Sequence, residues 1–366
     1  MPSALTLLRD PSILEVLMRG GAIGAFVGLA IAIARPPFTP ARVTGVLFCL
    51  AAAAHTLTQH PAINEALGLA RPLVWAFSFM GAGLFWAFAT ELFGDRPRLE
   101  PVRFAPAALL LTIGTGAMLA NGAAAKGLFL AHNLVGAVLM VHVLIVIWSG
   151  RRNDLVESRR RLRGPILAAA ALYAVSVIAV QTSEILWRPA DALSPLAAAI
   201  LFILGLAGIG ALLQADLDLF APAAEPRPMP PPQEAAPARS GEDEKVAHQL
   251  ERLMHEERVY REEALTITAL ALKLSVPEYK LRRLINQQLG HRNFSAFLNQ
   301  WRLVDAKQSL SDPGQRDVPI STIGLDAGFQ SLGPFNRAFK AETGLTPSEF
   351  RANALDQLAV PTETPP

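Results

Sequence analysis

The sequence predicts an all-α protein in two parts: a polytopic transmembrane bundle of about seven spans, followed by a soluble domain that contains two helix-turn-helix units. Three observations carry that expectation. The 366 residues are 51% hydrophobic and only 17% charged, against roughly 25% charged in ordinary soluble domains. The imbalance is one-sided: long runs of Ala, Leu, Val, Ile, Phe and Gly dominate before Gln214, whereas Lys, Arg, Glu and Asp become frequent after Ser240. The soluble part then repeats one short helical pattern along its length. Boundaries follow at residues 1–220 for the membrane part, 221–241 for a proline-rich linker, 242–355 for the soluble domain and 356–366 for a disordered tail.

Seven apolar stretches are long enough for the ~20-residue helix that crosses a bilayer core: Ile13–Ala34, Val43–Gln59, Pro72–Phe93, Phe104–Ala120, Gly127–Trp148, Pro165–Trp187 and Ser194–Gln214. Glu15 and Arg19 interrupt the first. It does not read as a cleaved signal peptide, since no basic segment precedes it and Gly20 runs on without a clear cleavage site. Orientation follows from Lys and Arg in the short loops, because positive loops stay cytoplasmic. Arg35 and Arg42, then Arg96, Arg98 and Arg103, then Arg151, Arg152, Arg159, Arg160, Arg161 and Arg163 fall on one side; Arg71, Lys126 and Arg188 fall on the other. Eleven against three places the N-terminus outside and everything after Gln214 in the cytoplasm.

A single cysteine, Cys49, allows no intrachain disulfide and no thiolate cluster. Polar residues inside spans usually snorkel or bond a neighbouring helix, yet ionisable groups there are enriched at functional sites. On the deduced topology His55, His132, Asn133, Gln181 and Glu184 share a depth toward the outer leaflet. They form a candidate ligand pocket, although no local spacing among them suits a metal. His142 lies deeper and reads as structural.

Prolines 222, 226, 228, 230, 231, 232 and 237 remove backbone donors and fix φ across the linker. Polyproline geometry at about 3.1 Å per residue lets such a segment reach roughly 60 Å. Beyond it, Asp243–Ala264 is charged and amphipathic, with Val246, Leu250, Leu253 and Met254 at helical spacing. This stretch either covers the following domain or pairs with a second copy.

The first helical unit opens at Thr266, a candidate N-cap, with Ile267, Leu270, Ala271 and Leu274 inward. A break over Ser275–Pro277 leads to a second helix, Glu278–Leu289, stopped by Gly290. Leu281, Leu284 and Ile285 make its inner face, and Tyr279, Arg282, Arg283 and Asn286 its outer one, with Lys280 alongside. Arginine can bond guanine edges in a fork and asparagine can bond adenine, although such a stripe is often only a solvated face. A longer helix, about Asn293–Leu310, then carries the chain through Ile320–Phe329 to a second unit. There Ser331 is the expected cap, Phe335, Ala338 and Phe339 face inward, and Gly333, Asn336, Arg337 and Lys340 face out. The connecting helix of about 18 residues would span some 27 Å, near the ~34 Å turn of B-DNA that separates successive major grooves.

These residues carry a specific resemblance. The run GFQSLGPFNRAFKAETGLTPSEFR is similar to the signature of the AraC/XylS family of transcription regulators: Gly328, Phe329, Phe335, Phe339, Lys340, Gly344, Thr346, Pro347 and Arg351 keep its order and spacing. The similarity covers about Leu265–Arg351. It implies groove contacts from Tyr279, Arg282 and Arg283 in the first unit and from Leu332, Gly333, Asn336 and Arg337 in the second. Two positions depart from the pattern. Gly324 stands where the family usually has alanine, and Gly333–Pro334 replaces side chains that would reach bases, shifting weight onto Asn336 and Arg337. Eleven Lys or Arg against seven acids between Leu265 and Asn353 suit phosphate neutralisation.

The apolar spans and the arginine bias, taken with the resemblance, lead us to expect a multi-pass protein of the bacterial inner membrane, with a cytoplasmic domain that regulates transcription and a bundle that senses a ligand or membrane state. Double-stranded operator DNA and the bilayer are its expected partners. RNA polymerase, a second copy of the chain and an unidentified small-molecule or membrane signal are further candidates. No cofactor is expected, and no enzyme: the chain has no HExxH, Walker loop or nucleophile elbow. The alternative reading is a transporter whose DNA-binding tail controls its own expression, with Gly114, Gly116 and Gly205–Gly210 as places where helices could break.

Overall fold

The computed structural model describes residues 11–94, 99–150, 153–156, 159–160, 164–166, 168–169, 171, 194–214 and 241–359. They fall into two units: Asn153–Val156 join the residues from 241 onward, and the rest form the other. Among the described residues six helices are long and apolar enough to cross a membrane: Ile13–Ile33, Pro40–Thr58, Gly68–Leu92, Pro101–Leu119, Gly122–Ser149 and Ser194–Leu213. Each overlaps an expected span. The span expected over Pro165–Trp187 lies almost wholly outside the described residues, as do Gln181, Glu184, the linker up to residue 240 and the tail from residue 360.

In the first unit the helices are α1 (Pro11–Ile33), α2 (Pro40–Thr58), the short α3 (Pro61–Ala66), α4 (Arg71–Leu92), α5 (Ala105–Leu119), α6 (Gly122–Ser149) and α7 (Ser194–Gln214). Proline sits in the first turn of α2, α3, α4 and α5, where the missing N–H costs nothing and the fixed φ favours the helix. Helix α2 packs between α1 and α4, α1 also packs on α7, and α4 continues onto α5 and α6. Small residues set the close crossings, as they do where packing rather than water drives helix association. A Cβ on Gly205 would meet that of Ala25 at 2.8 Å, and one on Gly114 would enter the Phe79 ring. Helices α5 and α7 run unbroken through Gly114, Gly116 and Gly205–Gly210, and Gly114, Gly205 and Gly208 serve close contact.

The two charges that interrupt the first apolar stretch are buried and paired. Arg19, 1% exposed, donates from Nε to Glu15 at 2.9 Å, from Nη1 to the Thr56 carbonyl at 3.3 Å and from Nη2 to Ser194 Oγ at 3.0 Å. The Ser194 hydroxyl in turn donates to Glu15. One polar knot thus ties the starts of α1 and α7 to the end of α2.

The second unit contains α8 (Gly241–His255), α9 (Ile267–Lys273), α10 (Glu278–Arg283), α11 (Phe294–Ser311), α12 (Ile320–Asp326), α13 (Leu332–Thr343) and α14 (Pro347–Ala359). Leu250, Leu253 and Met254 of α8 join the apolar cluster around α9, α10 and the start of α11, so the amphipathic stretch covers its own domain. A second cluster holds Leu303, Ala306 and Leu310 of α11 with Ile323, Phe335 and Phe339. Helix α11 is the shared wall of both. The described residues hold no strand beyond one antiparallel bridge, Asp154 with Asn293.

Candidate nucleic-acid interface

The first head is built from α9 and α10. Thr266 caps α9 by accepting from the Ala269 N–H at 3.1 Å. The turn is fastened when Thr268 Oγ1 donates to Glu278 at 2.7 Å. Helix α10 continues as one π turn over Leu284–Gln288 and ends at Gly290, whose φ of 76° suits a residue without Cβ. Leu281, Leu284 and Ile285 are buried, on the face expected to be inward.

The outer face of α10 differs from the stripe read in the sequence. Tyr279 and Arg283 are exposed and Lys280 is half-buried. Arg282 is not outward: it is 8% exposed, its Nε and Nη2 donate to Glu278 at 2.7 Å, and its Nη1 donates to the Asp154 carbonyl at 2.7 Å. The (i, i+4) carboxylate and a carbonyl from a remote segment draw the guanidinium sideways, and helical spacing alone cannot register that. Arg283 pairs with Asp243 of α8 at 3.3 Å, and Asn286 Nδ2 donates to the His291 carbonyl at 3.1 Å.

The second head is α12 and α13. Helix α12 closes in a Schellman motif: the Phe329 N–H donates to the Gly324 carbonyl at 3.0 Å and the Gly328 N–H to the Leu325 carbonyl at 2.8 Å. Leu332, Gly333, Asn336, Arg337 and Lys340 are all exposed, while Phe335 and Phe339 are fully buried. Ser331 is extended at the start of α13 but makes no side-chain cap bond, contrary to the expected cap. A capping box instead starts α14: Glu349 accepts from the Thr346 N–H at 2.7 Å, and Thr346 Oγ1 accepts from the Glu349 N–H at 3.3 Å. The bonds that its carboxylate accepts from the Thr346 N–H and hydroxyl hold the exposed Glu349 below its usual pKa.

The heads are spaced by α11, 18 residues long and thus about 27 Å. Arg302 on its inner side donates to the Tyr260 carbonyl at 2.8 Å and lies over the Phe329 ring at 5.8 Å. Asp305 accepts both arms of Arg261 at 2.6 and 2.7 Å. These bonds fasten the connecting helix to the segment that precedes the first head. Burial lowers the pKa of His291, whose ring meets Phe297 edge-on at 5.3 Å.

In the other unit, His55 and His132 reach neighbouring residues of α4. His55 Nδ1 pairs with Ser78 Oγ at 3.1 Å, and His132 Nε2 approaches the Phe79 carbonyl at 3.2 Å. Asn133 is half-buried on α6. His142, read as structural, accepts from Trp86 Nε1 at 2.9 Å. Among the described residues no group of three His, Cys, Asp or Glu could hold a metal ion. Spacing singled out neither Asp154 nor Glu278; Glu278, four residues before Arg282, was available as an ion-pair signal.

Residues 270–353 match the model of a helix-turn-helix domain. The chain is 36% identical to the arabinose operon regulatory protein of Escherichia coli K12 over 92 residues, 25% of this chain and 30% of that protein. Its counterpart in Salmonella typhimurium LT2 is 38% identical over 86 residues, 24% and 29% of the two chains. The HTH-type transcriptional activator RhaR of Yersinia pseudotuberculosis is 33% identical over 94 residues, 26% and 31%. The chain therefore spans under a third of each of these relatives. No solved structure matches.

Proposed function

We propose, from the AraC-type helix-turn-helix domain over residues 270–353, that the chain is a membrane-bound transcriptional regulator that reads operator DNA with both heads. The carrying observation is the pair of helix-turn-helix units fixed to one rigid helix, with Tyr279 and Arg283 exposed on one and Leu332, Asn336, Arg337 and Lys340 on the other. A spacing near one turn of B-DNA suits two neighbouring major grooves on one duplex face. Six apolar helices support an anchor in the bilayer. The arginine-weighted loops support an inner-membrane topology with the N-terminus outside and the DNA-binding domain in the cytoplasm, and a bundle that senses a small molecule or the membrane itself. His55, His132 and Asn133 remain the candidate pocket, with Gln181 and Glu184. The relatives' names speak of operon regulation and transcriptional activation, and regulation of that kind is assigned here by similarity.

Chromatin immunoprecipitation with the intact chain supplies the operator, and gel shifts test the reading. Arg337→Ala should weaken specific binding by about 1–3 kcal/mol, whereas Lys340→Ala should weaken all sequences alike and flatten the salt dependence. Unchanged affinity in both variants, or a periplasmic signal from a reporter fused after Arg351, overturns it.

A further inference from the structure

Residues Asn153–Val156 stand between α6 and the next apolar stretch in sequence, yet they fold into the second unit. The Leu155 N–H donates to the Arg292 carbonyl at 3.0 Å, and the Phe294 N–H donates to the Asn153 carbonyl at 2.8 Å. The two bonds close the antiparallel bridge around Asp154 and Asn293. Phe294 is the first residue of α11, so its N–H has no acceptor within the helix, and Asn153 supplies one. Leu155, 4% exposed, enters the apolar cluster that holds Leu281, Leu284 and Ile285 with Phe294 and Phe297. The Asp154 carboxylate accepts from the Val156 N–H at 3.1 Å, and the Asp154 backbone carbonyl takes the Arg282 Nη1 bond at 2.7 Å. All three of Asp154, Leu155 and Val156 are buried. A four-residue segment thus touches the reading helix, the start of the connecting helix and the core between them.

We propose that Asn153–Val156 is a docking strap that withholds Arg282 from DNA, so that its release by the apolar helices raises the affinity of the first head for an operator. The proposal rests on the DNA-binding reading above. With the strap in place, Glu278 on one side and the Asp154 carbonyl on the other hold the guanidinium against the domain. With the strap gone, the carbonyl is lost and the place of Leu155 in the apolar cluster that also holds Leu281 and Ile285 is vacated. Arg282 then loses that acceptor, which favours a turn of its guanidinium toward the face where Tyr279 and Arg283 stand. The strap is joined by its backbone, on both sides, to residues of the first unit. A shift in those helices therefore pulls on this segment before it could act through the long proline-rich linker.

The bridge also supplies the test. Asp154 and Asn293 are a non-hydrogen-bonded antiparallel pair, a type whose Cα atoms lie about 4.5 Å apart, within the ~4.4–6.8 Å range of disulfides. The full-length chain is prepared in membranes with Asp154→Cys and Asn293→Cys, Cys49→Ala to remove the native thiol, and a protease site in the linker. After oxidation and cleavage the two parts should stay covalently joined. Operator affinity of the oxidised protein should be roughly five- to 150-fold below that of the same protein reduced, the range of one arginine contact. Leu155→Asp in the otherwise native chain should raise affinity by a similar factor. Parts that separate after oxidation, or equal affinity in the two redox states, overturn the strap. Cross-linking is scored without DNA, so a failure of the DNA-binding reading looks different: joined parts that bind no operator in either state. That result removes the withholding of Arg282 as well.

Discussion

Replacing Gly328 by alanine tests whether the two heads are fixed to each other as the geometry implies. Gly328 has a φ of 96°, where an L side chain is strained by about 1–3 kcal/mol. Its backbone also presses against the segment before the first head. A Cβ there would lie 2.6 Å from the Tyr260 carbonyl oxygen, 2.8 Å from the Arg261 Cα and 3.0 Å from Arg302 Nε. Two of those atoms are backbone, and the Tyr260 carbonyl is already bonded to Arg302, so relief requires the end of α12 to retreat from the Tyr260–Arg261 segment and from the Arg302 side chain bonded to it. Overpacking of this kind adds about 1–3 kcal/mol. A combined loss near 3 kcal/mol corresponds to a hundredfold or more in an equilibrium. Gly344 is the internal control: its φ is 76° with nothing within 4 Å, so alanine there meets the conformational term alone, about 1 kcal/mol. The assay is amide hydrogen exchange of the full-length chain in lipid nanodiscs, followed on peptides from Ile320–Asp326 and Phe294–Ser311. Gly328→Ala should cut protection there by about a hundredfold, and Gly344→Ala by about fivefold. Equal effects from the two substitutions would refute the junction.

Gly324→Ala restores a residue the AraC-type pattern favours, worth up to ~1 kcal/mol of helix propensity. The new Cβ would sit 2.8 Å from the ring of the fully buried Phe335, so exchange protection of α12 and α13 should fall, and Phe335→Leu added to it should restore part of the loss. Arg19→Met strands Glu15 in the apolar bundle, at a cost of about 3–5 kcal/mol for a broken buried pair; melting in detergent should drop sharply, and adding Glu15→Gln should recover most of it. His291 is held below its ordinary value of 6.5 by burial, so its neutral form is the one the fold accepts. Stability on this account is full above pH 6.5, falls as acidification passes that value, and is wholly lost once pH is below the depressed pKa. The second unit should therefore melt lower at pH 5.5 than at pH 7.5, and His291→Gln should reduce the difference; an unchanged difference removes His291 as its source.

Much of this architecture was legible because it rests on repetition. The apolar stretches up to Trp148 and that from Ser194 each coincide with a long helix, and the buried apolar residues of α9, α10 and α13 are among those that helical spacing selected. What stayed hidden depends on partners far off in the chain. Glu15 and Arg19 look like defects in an apolar run until Ser194, some 175 residues later, closes the knot. Arg282 looks outward until Asp154, 128 residues before it, takes one of its donors. Ser331 has the residue type and position of a cap but leaves the task undone, whereas the capping box at Thr346 and Glu349 has the same local grammar and is made. The Gly324 departure gains its reason only from the Phe335 ring that fills the missing methyl's place.

The two heads differ in how their polar faces are spent, and the difference bears on regulation. In the first, Arg282 is turned to Glu278 and Asp154, Arg283 to Asp243, and Asn286 to the His291 carbonyl. In the second, Leu332, Asn336, Arg337 and Lys340 lie exposed on α13. The Arg283–Asp243 pair is partly exposed and such pairs are worth only about 0–1 kcal/mol, so phosphate can replace Asp243 readily. Arg282 is different, because its release requires a buried leucine and two backbone bonds to go with it. A chain built this way would hold the second head ready for DNA at all times and make the first conditional on the strap. Substitutions at Asn336 and Arg337 should then weaken operator binding equally in the oxidised and reduced strap variant, while Arg282→Ala should matter only when the strap is free to leave.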